Sequence, residues 1–450
     1  MLPVVTPDQM AAIDAAAPEP VDMLIGRAGN AVALRALSML RGAYGRRVIV
    51  VAGKGNNGND GRDAARRLRK RGVRVQVIDA STITDGTRLP PCDLVIDAAY
   101  GTGFRGHYDA PDPGGAPVLA VDIPSGVNGL TGEAGSGAVH AAATVTFAAL
   151  KPGLLLYPGR ALAGDVTVAD IGLDCSRATA HVVEVSDVAS WLPPRVPDTH
   201  KWRAAVWVVA GSAGMGGAAA LAAGGAQRAG AGYVRLSSPG LDAGGPVPVE
   251  VVRTPLPHAA WDVEVLDGLS RFKALVVGPG LGLAPVLAPC VQRVVLESAV
   301  PTVVDGDALT LLGRDVGTST HPLTVLTPHD GEYERLTGHA PGADRVEAAR
   351  ELARQANATV VLKGATPVVA DREGRALLIT TGDARLATAG TGDVLSGVIG
   401  ALLAQGMHPL RAAAAGAWLH GRASRLGPRR GLVASDLLEC LPTVFDDLEG

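Results

Sequence analysis

Ala389-Gly-Thr-Gly-Asp-Val-Leu-Ser-Gly397 sets a Gly-rich turn and one carboxylate in front of a long apolar run. Gly390 and Gly392 free the backbone to present N–H groups, and a helix predicted to run to about Gln405 adds its N-terminus, so the turn can hold a phosphate. Asp393 falls where that phosphate would sit. A carboxylate is a poor phosphate ligand, so its chemistry there is to take a proton from the group that attacks the phosphate. Phosphoryl transfer with Asp393 as catalytic base is the first expectation. The plainer alternative is a helix start with an Asp favoured by the helix dipole, and the rest of the chain must decide.

Four segments of the second half could serve the same chemistry. Gly211-Ser-Ala-Gly-Met-Gly-Gly-Ala218 and Val277-Gly-Pro-Gly-Leu-Gly282 are Gly-rich ends of predicted strands that can bring backbone N–H groups close to a ligand. Thr327-Pro-His-Asp-Gly-Glu332 places His329 and Glu332 at a helix start, where they could equally form a capping box. Val361-Leu-Lys-Gly-Ala-Thr-Pro367 puts Lys363 at a strand end, where an ammonium can meet phosphate oxygens or simply be solvated. The chain has only six lysines, and Lys54, Lys151, Lys201 and Lys363 all fall in chemically suggestive segments, so a compact point charge is expected where Lys is kept.

In the first half, Gly53-Lys-Gly-Asn-Asn-Gly-Asn-Asp-Gly61 follows a predicted strand and precedes a helix expected to begin near Arg62. It is neither a G-x-G-x-x-G fingerprint nor a G-K-[ST] phosphate loop. Its asparagines and Asp60 supply oxygen ligands and amide donors suited to a cation or a sugar-phosphate, although a tight turn would use the same residues. Asp97 to Gly106 and Val121-Asp-Ile-Pro-Ser-Gly126 each begin with a carboxylate at a strand end.

The elements that must position these residues alternate from end to end: short apolar runs between Ala- and Leu-rich helical patterns, which predicts α/β architecture with a largely parallel sheet. Strands are expected at Val48–Val51, Val73–Ile78, Leu94–Ile96, Val118–Val121 and Ala143–Phe147, then at Ala205–Ala210, Tyr233–Ser237, Ala274–Val277, Thr302–Val304, Leu323–Leu326, Thr359–Leu362 and Ala376–Thr380. Loops after the carboxyl ends of such strands line the ligand crevice. Trp191-Leu-Pro-Pro-Arg-Val-Pro197 cannot continue a helix or a central strand, so two domains are expected, 1–190 and 191–450.

The 450 residues carry a formal net charge of -3, and no basic patch of the kind that tracks nucleic acid is visible. The Arg-rich run from Arg66 to Arg71 reads as a solvated helix end. Cys92, Cys175, Cys290 and Cys440 are far apart, without metal spacing, which favours a reduced, cytoplasmic setting. No signal peptide is read, since Asp8 and Asp14 interrupt the N-terminal stretch, and no run suits a membrane span.

The first-half loops together resemble the YjeF N-terminal, NAD(P)H-hydrate epimerase family over essentially all of residues 1 to 190. The resemblance implies a Rossmann-like three-layer domain in which a potassium ion is held by Asn57, Asp97 and Ser125. It further implies that the hydrated nicotinamide nucleotide is contacted by Asn56, Asn57, Gly58, Asn59 and Asp60, by Gly101, Thr102, Gly103, Phe104, Arg105, Gly106 and His107, and by Asp122. Lys151 falls in another family segment. Asn59 stands where the family has Gly, and Ile25-Gly-Arg-Ala-Gly29 lacks its usual Glu. The second half, over roughly 195 to 445, resembles the ribokinase-like NAD(P)H-hydrate dehydratase family through T-P-H-x-G-E, L-K-G-A-T and G-T-G-D-V-L-x-G. That resemblance implies Asp393 as catalytic base, Ala218, Gly282, His329 and Asp393 on the hydrate, and Lys363, Gly364, Ala365, Thr366, Pro367 and Gly392 on the nucleotide. Thr381-Gly-Asp-Ala-Arg-Leu386 departs from the family's T-G-N-P-G-M, Asp305-Gly-Asp-Ala-Leu309 from D-A-D-A-L, and Ala389 from Gly.

The implied activity is metabolite repair: epimerisation of R and S hydrates of NADH or NADPH, and dehydration of the S form at the expense of ADP, with ATP left open and magnesium expected. No nucleic-acid or membrane partner is expected, and a homo-oligomer is. A ribokinase-like vitamin-precursor kinase and a non-catalytic YjeF-type ligand-binding scaffold stand as alternatives.

Overall fold

The structure is a computed structural model that describes every residue except 105, 107, 195–196, 242–246, 319 and 450. The chain divides into two compact units, Leu2–Ala180 and His181–Gly450 together with Met1. The division falls ahead of the Pro-rich stretch where the sequence places it. Helix Val185–Trp191 packs on helices Pro409–Leu426 and Ala434–Glu449 and buries Val188, so it belongs to the C-terminal unit.

In the N-terminal unit the sheet order is Arg74–Asp79, Arg47–Ala52, Leu94–Ala98, Val118–Val121, Ala143–Phe147, Asp165–Ala169. All neighbouring pairs are parallel. The near-continuous apolar runs reflect burial on both faces. Val48 and Val50 pack beneath helices Val21–Leu40 and Asn56–Lys70, while Ile49 and Val51 face a second cluster with Val95, Tyr108 and Ala120. Asp165–Ala169 was not expected as a strand, because Asp and Thr break its apolar pattern.

The helix expected near Arg62 begins at Asn56, so most of the Gly/Asn stretch is its first turns. A Cβ on Gly58 would meet the Gly53 carbonyl, and the missing side chain lets the helix start hard against the strand end. Its basic end is exposed as expected, although Arg66 and Arg67 turn back onto buried Asp63.

The C-terminal unit runs Ala376–Leu378, Val368–Ala370, Thr359–Leu362, Thr324–Leu326, Thr302–Val304, Ala274–Val277, Ala205–Val209, Tyr233–Ser237, Val252–Arg253. Pairing is parallel from Thr359–Leu362 onward. Val368–Ala370 pairs antiparallel on both sides, forming a hairpin with Ala376–Leu378. That strand and Val252–Arg253 are too short to carry a readable period. Helix Thr391–Ala404 is apolar all round and buried from Val394 to Ala404, packed between helices Gly216–Arg228 and Pro409–Leu426 and against the sheet. Among the described residues no helix is long and apolar enough to cross a membrane.

Candidate active sites

Gly390 is the N-cap of helix Thr391–Ala404 at φ 88, a left-handed conformation that glycine adopts without strain. The Thr391 hydroxyl donates to the carbonyls of Leu386 and Thr388, both at 2.9 Å, and buried His420 places Nε2 2.8 Å from the Thr391 carbonyl. Burial pushes the His420 pKa down to about 4, so the ring is neutral and donates to that carbonyl. The turn is thereby pinned, and the amides of Gly392 and Asp393 have no hydrogen-bond partner among the described residues. This is an anion site of the helix N-terminal kind.

Lys363 leaves the end of strand Thr359–Leu362 and brings its ammonium beside Gly392. Its Nζ is 2.9 Å from Asp305 Oδ1 and 3.5 Å from Glu332 Oε2. Asp305 is buried at the end of strand Thr302–Val304 and also accepts from Thr327 Oγ1 at 2.7 Å and Ser396 Oγ at 2.6 Å. Burial alone would raise its pKa, but the Lys363 ammonium and these donors hold it below the usual carboxylate value. Burial likewise works against the Lys363 charge, and Asp305 and Glu332 outweigh it. Asp393 has the opposite balance. Burial, then the charge of Asp305, raise it to about 7 despite the opposing pull of Lys363. A carboxyl of that kind at an anion hole is poised to accept a proton near neutral pH.

The other expected residues of this half gather on the same strand ends. Ala218 lies in the first turn of helix Gly216–Arg228 against Gly280, and the Gly282 amide donates to Asp307 Oδ2 at 2.8 Å. His329 caps helix Asp330–Thr337: Nδ1 accepts from the Gly331 amide at 3.0 Å, and Glu332 Oε2 accepts from the His329 amide at 2.8 Å. The capping box is therefore real, and it leaves Nε2 3.5 Å from Glu332. Gly364 sits against the Arg345 guanidinium, which donates to the Lys363 carbonyl at 2.8 Å and grips the Asp330 carboxylate at 2.8 and 3.1 Å. Ala365 continues the loop to buried Thr366, and the Pro367 carbonyl serves the hairpin by accepting from Ile379. In the departing segment, Asp383 caps a short turn and holds Arg385 at 2.6 Å, which keeps the Asp383 carboxyl near 2; Arg385 in turn reaches the Gly427 carbonyl at 3.3 Å.

In the N-terminal unit a cavity of about 760 Å³ opens over the strand ends, lined by Lys54, Asn56, Asn57, Asp60, Gly101, Thr102, Gly103, Phe104, Asp122 and Lys151, with Asp14 and Met10 from helix Pro7–Ala16. Gly58, Asn59 and Gly106 do not line it, and Arg105 and His107 lie outside the described residues. Asp122 follows its strand at φ 66, a strained position for a non-glycine residue. Its Oδ1 accepts from Lys151 Nζ at 2.6 Å and from Thr146 Oγ1 at 3.0 Å, and Lys151 is 1% exposed. Asp97 Oδ1 accepts from Ser125 Oγ at 2.7 Å and Oδ2 from the Ser125 amide at 2.8 Å; burial raises the carboxyl to about 6 against these bonds. The Ser125 hydroxyl also accepts from the Tyr100 amide at 2.9 Å, while the Asn57 side chain lies against neighbouring Gly101 with both polar atoms buried and unpartnered among the described residues.

Asp305, Ser396 and Asp14 carry parts of these sites that the sequence did not single out for them. Asp305 closes a predicted strand as Asp97 and Asp122 do, and that shared position was the available signal.

Residues 206–443 match the family model for NAD(P)H-hydrate dehydratase, and residues 21–90 and 79–153 match that for the YjeF-related protein N-terminus. An ADP/ATP-dependent NAD(P)H-hydrate dehydratase from Bacillus subtilis, crystallised with ATP and Mg2+, is similar in structure at a TM-score of 0.51 and 29% identity, covering 59% of this chain and 98% of that one. A ribokinase-like superfamily protein from Enterococcus faecalis superposes at 0.52 with 21% identity over 60% of this chain and 96% of its own, which speaks to the fold. The class is thus a ribokinase-like α/β domain preceded by a Rossmann-like YjeF N-terminal domain. Full-length relatives carry the same pair. The bifunctional NAD(P)H-hydrate repair enzymes of Moorella thermoacetica and Mycobacterium leprae are 37% and 38% identical, over 90% and 93% of this chain and 88% and 92% of theirs. The chain belongs to the bifunctional NAD(P)H-hydrate repair enzyme family.

Proposed function

We propose that this protein restores hydrated NADH and NADPH, with the N-terminal unit interconverting the R and S hydrates and the C-terminal unit dehydrating the S form with ADP, giving AMP and phosphate. The observation that carries the dehydratase reading is the partnerless amides of Gly392 and Asp393 beside the Lys363 ammonium, with the Asp393 carboxyl raised to about 7. Hydroxide is a poor leaving group, and phosphate a good one. Asp393 takes the proton of the ring hydroxyl as its oxygen attacks the terminal phosphate, and the turn at Gly390 to Gly392 stabilises charge on the transferring group. The bond from the ring carbon to the phosphorylated oxygen then breaks with its electrons, and loss of the neighbouring ring proton restores the reduced nicotinamide. Lys363 to Pro367 hold the nucleotide, and Ala218, Gly282 and His329 the hydrate. Magnesium comes with the nucleotide phosphates, since it keeps most of its shell in water and phosphate oxygens.

Asn57, Asp97 and Ser125 offer oxygen donors to a hard cation, and the unpartnered buried Asn57 amide fits a bound potassium ion. Such an ion supplies fixed positive charge at the strand ends. Product analysis tests the reading: the S hydrate with ADP should yield reduced dinucleotide, AMP and inorganic phosphate in equal amounts, whereas a stable phosphorylated product would point to a kinase.

A further inference from the structure

Among the groups lining the N-terminal cavity, Asp60 is anomalous. It is buried, and its carboxyl makes no hydrogen bond or ion pair among the described residues. Asp63, on the next turn of the same helix, is paired with Arg66 and Arg67, and Asp122 with Lys151. Asp60 has no such partner, although Lys54 also lines the cavity. A buried carboxyl without a counter-charge keeps its proton. The facing charges of Asp122, Asp63 and Asp14 act with burial in the same direction and push it up to about 8. Asp122 is the complementary group. Both of its side-chain hydrogen bonds fall on Oδ1, so the Lys151 ammonium and the Thr146 hydroxyl orient it while Oδ2 has no bonded partner among the described residues.

A carboxyl that keeps its proton and a carboxylate paired with an ammonium, both lining one cavity, can serve as acid and base. We propose that Asp60 is the proton donor and Asp122 the proton acceptor of the epimerisation, which proceeds by opening and reclosing the hydrated ring. The inference rests on the epimerase reading of the N-terminal unit. Water adds to an enamine with its hydroxyl on the carbon next to nitrogen, so the epimeric carbon is a hemiaminal. Asp122 takes the hydroxyl proton, the O–H electron pair forms the carbonyl, the C–N bond breaks, and its electrons on nitrogen accept the Asp60 proton. Rotation about the adjacent C–C bond turns the other carbonyl face to nitrogen. Ring closure returns one proton to Asp60 and delivers the other from Asp122 to oxygen, so both groups end as they began. No other reactant is consumed.

The test uses the full-length protein, pure R hydrate and no nucleotide, with S hydrate followed by chromatography. The wild type should equilibrate the epimers far faster than buffer does; if it does not, the epimerase reading itself fails. With that established, Asp60→Asn should lower the epimerisation turnover at least about 100-fold with little change in KM. Asp60→Glu should recover part of it, which a lost fold could not do. Asn at wild-type rate would overturn the assignment. Epimerisation in 18O-labelled water separates the routes, because ring opening keeps the substrate oxygen in the short-lived carbonyl form. Uptake of one labelled oxygen with each inversion would overturn ring opening.

Discussion

Asp393 and Lys363 share one anion hole yet fare oppositely in it: burial and then Asp305 disfavour the Asp393 charge, while Asp305 and Glu332 outweigh burial to keep Lys363 charged. The buried Asp305 carboxylate holds the ammonium at 2.9 Å and at the same time repels the ionised form of Asp393. Asp393→Asn should retain nucleotide binding by calorimetry and lose dehydration by about 10²- to 10⁴-fold, the range for removing a positioned base. Because a base must be unprotonated and burial raises Asp393 to about 7, the dehydration rate should climb through pH 7 and level off above it, falling roughly tenfold per pH unit on the acid side. A pH profile flat from 5 to 8 would show that Asp393 is not the titrating group. Asp305→Ala removes the nearest counter-charge of the Lys363 ammonium and leaves it Glu332 at 3.5 Å and Asp393. Breaking such a pair costs about 3–5 kcal/mol, measurable by urea unfolding. Asp393 and Lys363 were legible in sequence because their neighbours are local: a Gly-rich turn before an apolar run, and a lysine at a strand end. Asp305 was not, since its partners lie 58 and 91 residues away and only folding brings them together.

At the level of elements, helix Thr391–Ala404 must carry its N-terminus to the strand ends while buried on all sides. Close contact with helix Gly216–Arg228 makes this possible: a Cβ on Gly397 would run into the Ala222 carbonyl. Gly397→Ala should therefore destabilise the unit by about 1–3 kcal/mol despite the better helix propensity of Ala, read as a lowered thermal midpoint. The parallel strands were legible because both faces are buried and their apolar runs are unbroken. The hairpin strand Val368–Ala370 and the edge strand Asp165–Ala169 were not, being short or polar-interrupted. The Asn-rich stretch read as a loop because Gly and Asn favour turns. In the structure the same glycines serve close approach, and Asn56, Asn57 and Asp60 reach the cavity from a helix.

At the scale of the whole molecule, two compact units each place polar residues at the carboxyl ends of parallel strands, and each has its own raised carboxyl, Asp60 near 8 and Asp393 near 7. In the proposed account these serve two separate chemistries on one substrate. Water adds to either face of the nicotinamide, so a dehydratase confined to one epimer would strand the other, and a unit that interconverts them completes the repair. Asp393→Asn should accordingly still equilibrate R and S hydrates while recovering no reduced cofactor. The most direct measurement gives the wild-type protein an R/S hydrate mixture with excess ADP and follows reduced-nicotinamide absorbance to its end point. Recovery of the whole mixture is expected, with one phosphate released per dinucleotide. A plateau at the S fraction alone, or phosphate retained on the product, would contradict the paired repair chemistry.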